Sequence, residues 1–170
     1  MNSLATLLLF LLLVVGGGLL IGFVTKPDEW YANLKKPSFT PPSWIFAPVW
    51  TVLYVLIAIA GWRSWQFAQG GIAWKLWWAQ LVLNFSWSPA FFGFQKIRLA
   101  LGILILLLLA IIAFIAAEWS IDRWAAFLFV PYAGGLHSRY CLMRRYPNLI
   151  RLQDETIAAR EVSQVDGDHI

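Results

Sequence analysis

Three aromatic side chains in the second long apolar stretch of the chain are spaced to lie on one face of a helix. Phe46, Trp50 and Tyr54 follow one another at intervals of four residues, and side chains at that interval lie one above the other on a helix. Three rings in a column form a broad apolar wall. A wall of this kind is suited to contact with a flat apolar molecule.

A second face, in the third apolar stretch, combines two carboxamides with two aromatic rings. Gln80, Asn84, Trp87 and Phe91 lie at positions i, i+4, i+7 and i+11, which again is one helical face. Carboxamides facing lipid would leave their N–H groups unsatisfied, so we expect this face to point into the protein. With the aromatic wall, it predicts a site for a planar ligand carrying a few polar substituents. The amides could equally hydrogen-bond neighbouring helices only, and both interpretations stay open.

Side chains for catalysis or metal binding are nearly absent from the sequence. His137 and His169 are far apart, and neither has a second ligand three or four residues away, so we expect no metal site. Asp28 lies in a loop, while Glu118 and Asp122 lie at a span boundary, where charges are normally solvated. We found no glycine-rich phosphate loop and no nucleophile elbow. The sequence therefore predicts neither catalytic residues nor a required cofactor.

The composition indicates that both faces belong to an integral membrane protein. Of the 170 residues, 60% are hydrophobic and only 13% are charged, too few to cover a soluble fold. The apolar runs are long enough to cross a bilayer as helices, which takes about 20 residues, and they lack the alternation of barrel strands. We predict an all-α bundle of five transmembrane helices. The predicted spans are Leu4–Val24, Trp44–Phe67, Ile72–Phe92, Leu99–Ala117 and Trp124–Leu142.

One long loop and a polar tail complete the predicted organisation. Residues 1–150 form the membrane domain, which includes a loop rich in proline and aromatic residues at 25–43 that we expect to be stiff. Residues 151–170 are polar, without apolar periodicity, and are predicted to be disordered. The other connections are short, so neighbouring helices must be antiparallel. The first span carries small residues that allow a neighbouring helix to approach closely. These are Gly16, Gly17, Gly18 and Gly22.

Seven of the 11 tryptophans fall into two groups by their depth in the predicted spans. Trp50 and Trp87 lie about two turns inside their spans and share a helix with inward-facing polar residues. The second group falls near span ends and is typical of a belt at the membrane–water interface. Its members are Trp62, Trp65, Trp74, Trp77 and Trp78.

Basic residues near the span ends predict the orientation. Lys26, Lys96 and the arginines from Arg139 onward fall on one side of the membrane, and the uncharged N-terminus falls on the other. The positive-inside rule places the N-terminus outside and the C-terminus in the cytoplasm. The net charge of +4 therefore reflects topology rather than binding to nucleic acid.

Three motifs identify a known family. The run from Lys26 to Trp50, with Pro-Pro-Ser-Trp at 41–44 and Pro-Val-Trp at 48–50, resembles the signature of the tryptophan-rich sensory protein family. These are bacterial relatives of the mitochondrial translocator protein, once called the peripheral benzodiazepine receptor. The segment from Gln80 to Gly93 and the later Phe-Val-Pro-Tyr at 129–132 are also similar to that family. The resemblance extends over about residues 1–134.

The resemblance implies a five-helix membrane protein, often a homodimer, that binds protoporphyrin, haem-like tetrapyrroles or sterols. The membrane would be a bacterial envelope membrane, or the mitochondrial outer membrane in a eukaryote. The family's pocket lies within the bundle under the first loop, and its implied role is receptor-like or transporter-like, in sensing or regulation. Alternatives are a light-dependent porphyrin-degrading enzyme and a structural protein whose aromatic residues only pack. The implied ligand-binding residues are Trp30, Phe46, Trp50, Tyr54, Asn84, Trp87 and Phe91.

The fifth span departs from the family after Tyr132. Gly135 stands where the family has a tryptophan, and His137, Arg139 and Arg144 follow in what should be an apolar segment. Charges there are costly, at about 2.5–3.5 kcal/mol each near a span centre. One hypothesis is that the gene has lost a base just after Tyr132; the other is genuine divergence. If the sequence is genuine, we expect a shortened fifth helix and a pocket that lacks one ring.

Overall fold

The structure, a computed structural model, describes the backbone of residues 3–25 and 43–144 and the side chains of residues 3–25 and 48–136. Throughout this part the chain is helical except at short connections. The helices are α1 (Ser3–Val24), α2 (Ser43–Phe67), α3 (Ile72–Ser88), α4 (Ile97–Glu118) and α5 (Arg123–Arg144). A π-helical turn lies inside α1 at Leu12–Gly16, and another, Pro89–Gly93, continues α3.

The ends of these helices agree with the predicted spans to within two residues, provided that the π turn after Ser88 is counted with α3. This agreement concerns where the helices begin and end, and not whether each of them crosses a membrane. Two of them, α1 and α4, are long and apolar enough to cross a membrane, by length and composition alone. Trp30, the rest of the loop after Thr25, and the polar tail lie outside the described residues.

The helices pack in a ring whose order differs from their order in the sequence. Helix α1 packs on α2, α2 on α5, α5 on α4 and α4 on α3, and the second half of α1 closes the ring against α3. The connections after α2, α3 and α4 are short, so those consecutive helices run antiparallel, as predicted. The turn after α2 uses Gly70 at φ +77°, a left-handed conformation that glycine adopts without strain.

Apolar side chains occur on both the inner and the outer surface of the ring. Ile57, Leu107 and Phe129 are fully enclosed between helices. Facing outward, Leu12 is 71% exposed and Phe23 is 68% exposed. A soluble protein would place polar residues at such positions, whereas lipid requires apolar ones. The described surface is therefore suited to the interior of a bilayer.

Two of the glycines predicted to allow close helix approach do so. A Cβ atom at Gly18 would lie 2.3 Å from Cε2 of Tyr54 on α2, and one at Gly17 would lie 2.9 Å from Cζ of Phe85 on α3. Only glycine fits at such distances without a shift of the neighbouring ring. Gly22, by contrast, has no such neighbour within 4 Å among the described residues, so no close approach is observed there.

Five aromatic side chains form a contiguous group, which we name the indole cluster. They lie near the end of the bundle at which α2 connects to α3. Trp74 and Trp77 are nearly parallel, with ring centroids 5.5 Å apart and planes 2° from each other. Trp78 meets Trp77 edge-on at 5.0 Å, and Trp65 lies 5.2 Å from Trp74. Phe10 of α1 contacts Trp77 at 5.3 Å. The cluster joins α1, α2 and α3.

Trp77 corrects the assignment of these tryptophans to an interfacial belt. Its side chain is 0% exposed, and its indole N–H donates to the backbone carbonyl of Ile57 at 3.0 Å. The ring occupies a slot opposite Gly61, where a Cβ would lie 2.1 Å from the indole. The belt prediction is therefore wrong for Trp77, because a glycine on α2 opens space that spacing along α3 could not reveal.

Helix α5 continues well past the point at which the sequence departs from the family pattern. Its backbone is helical through Gly135 to Arg144, so the expected shortening of the fifth helix is wrong. Leu136 is buried, and a Cβ at Gly135 would lie 3.6 Å from Cδ1 of Leu53, an ordinary contact distance. The first turn after Tyr132 therefore still packs on α2.

Candidate functional site

Trp50 and Tyr54 of α2 form one side of the candidate site. They lie one turn apart, and their ring centroids are separated by 5.8 Å with the planes tilted by 51°. Both side chains are partly buried. Phe46 lies one turn earlier on the helix, but its side chain falls outside the described residues. The predicted column of rings is therefore observed for two of its three members.

Asn84 of α3 lies at the centre of the candidate site and joins three helices. Its side-chain N–H donates to the hydroxyl of Tyr132 on α5, and its carbonyl oxygen accepts the hydroxyl of Tyr54 at 3.5 Å. The ring of Tyr132 in turn stands edge-on to Trp50, at 6.4 Å and 88°. We name Trp50, Tyr54, Asn84 and Tyr132 the amide cluster. Its hydrogen bonds fix a polar group inside an otherwise apolar bundle.

Tyr132 was not among the residues predicted from the sequence to bind a ligand. Its side chain is fully buried, and its hydroxyl is bonded to Asn84. A usable signal was present, since a tyrosine inside an apolar span needs a hydrogen-bond partner for its hydroxyl. The sequence does not indicate which of the other helices supplies that partner.

Trp87 and Phe91 form a second ring pair on α3 and its π turn. Their planes are nearly parallel, 9° apart, with centroids separated by 5.1 Å, and both side chains are buried. They lie on the Asn84 face, toward the carboxyl end of α3. At this end, the hydroxyls of Thr25 and Ser88 are hydrogen-bonded at 2.8 Å. The loop that includes Trp30 therefore begins beside the Trp87–Phe91 pair.

Gln80 lies one turn before Asn84 on the same face of α3 and has a different environment. Its side chain is 0% exposed, and neither its nitrogen nor its oxygen has a hydrogen-bond partner among the described residues. Burying such a group without a partner costs roughly 2–7 kcal/mol. An unsatisfied amide of this kind in a folded protein requires an explanation.

An ion pair holds the end of the bundle that is remote from the Thr25–Ser88 contact. Arg63 of α2 donates to both carboxylate oxygens of Asp122, with Nε–Oδ2 at 2.5 Å and Nη2–Oδ1 at 3.0 Å. Burial opposes ionisation of Asp122, but the hydrogen bond and charge of Arg63, aided by backbone N–H groups, outweigh it. The pKa of Asp122 consequently lies below its ordinary value.

The family is established by comparison with known sequences. Residues 9–140 match the model of the TspO/MBR family. The chain belongs to the TspO/MBR family. It is 40% identical over 132 residues to the tryptophan-rich sensory protein of Cereibacter sphaeroides, covering 78% of this chain and 84% of that protein. It is 36% identical over 126 residues to the human translocator protein, covering 68% of this chain and 74% of that protein.

Membership of the TspO/MBR family makes this chain a multi-pass membrane protein, in agreement with its outward-facing apolar side chains. A third relative, protein CrtK of Rhodobacter capsulatus, is 36% identical over 117 residues, which is 65% of this chain and 72% of that protein. The family match ends at residue 140, beyond Tyr132. The departure after Tyr132 is therefore less abrupt than the sequence motifs indicated.

Proposed function

We propose that this TspO/MBR protein binds a flat apolar ligand, a tetrapyrrole or a sterol, inside the helical bundle against the amide cluster. The observation that carries the proposal is the position of Asn84, a polar side chain held by two tyrosines beside the ring of Trp50. Polar groups inside a membrane bundle are costly and usually mark functional sites. Aromatic rings around a few placed polar groups are the usual lining of a small-molecule site.

The proposed ligand enters from the end of the bundle where the 25–43 loop begins. The hydrogen bond between Thr25 and Ser88 brings the start of this loop to the carboxyl end of α3, next to Trp87 and Phe91. On this proposal, Trp30 and Phe46 complete the lining from the loop side. The remote end is closed by the Arg63–Asp122 pair and the indole cluster.

The proposed role is sensing or regulation by ligand occupancy. Two relatives are named a sensory protein and a translocator protein, and those names support a role in sensing or translocation. We further propose that all five helices span the membrane, with the N-terminus outside and the C-terminus in the cytoplasm. The distribution of lysine and arginine near the helix ends supports this orientation.

The direct test is titration of the purified protein in lipid nanodiscs with protoporphyrin IX, followed by the absorbance of the porphyrin. Porphyrin absorbance is preferable to protein fluorescence because it does not depend on which tryptophan is replaced. We expect Trp50→Leu to weaken binding about ten-fold or more, since it removes a large aromatic wall.

Trp78→Phe is the matched control, because Trp78 belongs to the indole cluster and is partly exposed. This variant should bind protoporphyrin IX within about two-fold of the wild type, a change well below 1 kcal/mol. Equal affinities for the Trp50 and Trp78 variants, or no binding by the wild type, would exclude the proposed site.

A further inference from the structure

The two buried carboxamides of α3 differ in how much of their hydrogen-bonding capacity the protein uses. A carboxamide offers two N–H donors and a carbonyl acceptor. Asn84 donates to Tyr132 and accepts from Tyr54, so its geometry is fixed by the protein. Gln80, one turn away, makes no hydrogen bond with any described residue, although it is 0% exposed.

Gln80 also lies at the middle of the α-helical part of α3, before the π turn at Pro89–Gly93. It is eight residues from Ile72 and eight from Ser88 (80 − 72 and 88 − 80), which corresponds to about 12 Å of helix on each side. On the proposed five-span arrangement, Gln80 lies far from both membrane surfaces. Its free donors and acceptor can therefore be satisfied only by something inside the bundle.

We propose that Gln80, rather than Asn84, hydrogen-bonds the polar group of the bound ligand, and that this group is uncharged. The inference rests on the proposed function. Asn84 then acts as a positioning residue that holds Tyr54 and Tyr132 around the ligand. Gln80 favours ligands that carry such a group, because its side chain offers two N–H donors and a carbonyl acceptor to the ligand's polar group.

The depth of Gln80 determines the charge of the group it takes. A carboxylate moved to the centre of a membrane bundle loses its hydration, and a neutral amide does not compensate for that loss. Lys75, the basic residue of α3, is exposed and five positions away, on a different face of the helix. A hydroxyl or carbonyl group on a flat apolar body fits Gln80, whereas any carboxylates of the ligand remain near the membrane surface.

Two pairs of probes separate the possible sources of this uncharged group. The sterol pair is cholesterol and cholestane, which lacks the hydroxyl, each measured by competition with protoporphyrin IX in nanodiscs. The tetrapyrrole pair is protoporphyrin IX and its dimethyl ester, in which both carboxylates are uncharged. We expect the wild type to favour cholesterol over cholestane about ten-fold, or to bind the ester at least as tightly as the acid.

The Gln80→Met variant should abolish these preferences and retain the apolar contacts. The cholesterol-to-cholestane ratio should fall to about one, or ester binding should weaken about ten-fold. Gln66→Met is the matched control, since Gln66 is exposed on α2, and it should leave every ratio unchanged. Without ligand, Gln80→Met should unfold at the same temperature as the wild type or higher, whereas Asn84→Leu should unfold at a lower one.

Each failure has a distinct signature. If the wild type binds none of the four probes, the proposed function fails, and this inference fails with it. If the probes bind and Gln80→Met leaves all preferences unchanged, the inference alone is wrong. If Gln80→Met weakens only the binding of the diacid, Gln80 contacts a carboxylate and the uncharged assignment is wrong.

Discussion

The amide cluster and the indole cluster are built from similar rings and differ in their polar atoms. In the indole cluster, the indole N–H of the enclosed Trp77 is bonded to a backbone carbonyl of α2. In the amide cluster, by contrast, the polar atoms of Asn84 are bonded to tyrosine hydroxyls from two other helices. Gln80, one turn from Asn84, has hydrogen-bonding capacity that no described residue uses.

The difference shows that the density of tryptophan does not locate the site. The indole cluster contains four tryptophans, each of which contacts at least one of the others. Close packing of the helices is sufficient to explain these contacts. The amide cluster is distinguished by hydrogen bonds between side chains inside an apolar bundle. Polar side chains are costly to bury there, so their presence requires an explanation. In a membrane bundle, polar groups are therefore more informative than rings about where a ligand binds.

The largest effect on stability is expected in the indole cluster. Gly61→Ala would place a Cβ 2.1 Å from the ring of Trp77, and overpacking of this kind costs about 1–3 kcal/mol or more. Gly102→Ala, on α4, is the control, since no described heavy atom outside its own helix backbone lies within 4 Å of the new Cβ. It should be neutral or stabilising by up to about 1 kcal/mol.

Thermal unfolding of both glycine variants in the same detergent measures this difference. Protoporphyrin affinity of the folded Gly61 variant should stay close to that of the wild type if the two clusters are independent. A Gly61→Ala protein as stable as Gly102→Ala would show that the Trp77 slot is not closely packed.

A smaller effect on stability, and a larger one on binding, is expected at Gly18 in α1. A Cβ there would lie 2.3 Å from Tyr54, so the ring of Tyr54 must move. The hydrogen bond from its hydroxyl to Asn84 is then lost. We expect protoporphyrin affinity to fall about ten-fold and stability by about 1 kcal/mol. Gly22→Ala, one turn further along α1 and with no neighbour within 4 Å in the part of the chain that the structure describes, should change neither. Equal affinities of the two variants would separate Tyr54 from the binding site.

The smallest effect is expected from the ion pair at the remote end, and it depends on pH. Because the folded protein lowers the pKa of Asp122, the ionised carboxylate stabilises the protein above its unfolded pKa of about 3.9. That stabilisation is lost as the pH falls through the folded value. Asp122→Asn should therefore be less stable than the wild type at neutral pH, by less than about 1 kcal/mol.

The pH series also tests whether the remote end is separate from the site. The difference in unfolding temperature between wild type and Asp122→Asn should shrink as the pH falls below about 3.9 and vanish only below the lowered pKa of the folded protein. Protoporphyrin affinity at neutral pH should be the same in both proteins. A loss of affinity in Asp122→Asn would mean that the ion pair and the amide cluster are coupled across the bundle.

Much of the fold was predictable because helix limits and inward faces follow from patterns along one chain. Apolar runs determine where α1 to α5 begin and end, and the four-residue interval places Trp50 beside Tyr54. The need of a carboxamide for a partner correctly placed Asn84 inside the bundle. All of these are properties of a single helix and its surroundings.

What was missed depends on contacts between helices. The partner of Asn84 on α5 is Tyr132, 48 residues away in the sequence, and no periodicity relates them. Trp77 was assigned to the interfacial belt because it lies near the end of its predicted span. The sequence does not show that Gly61 on α2 leaves space for its ring. Likewise, Gln80 and Asn84 look equivalent in the sequence, and they are distinguished only by which of them meets hydroxyls from other helices.

The π turn at Leu12–Gly16 constrains changes in the length of α1. A wider turn takes up an additional residue, and each residue rotates a helix by about 100°, so this turn sets the direction in which Gly17 and Gly18 face. Losing a residue here would rotate both glycines away from Phe85 and Tyr54 and bring larger side chains against those rings. Homologues should therefore vary in the identity of the residues before Gly17 more freely than in their number.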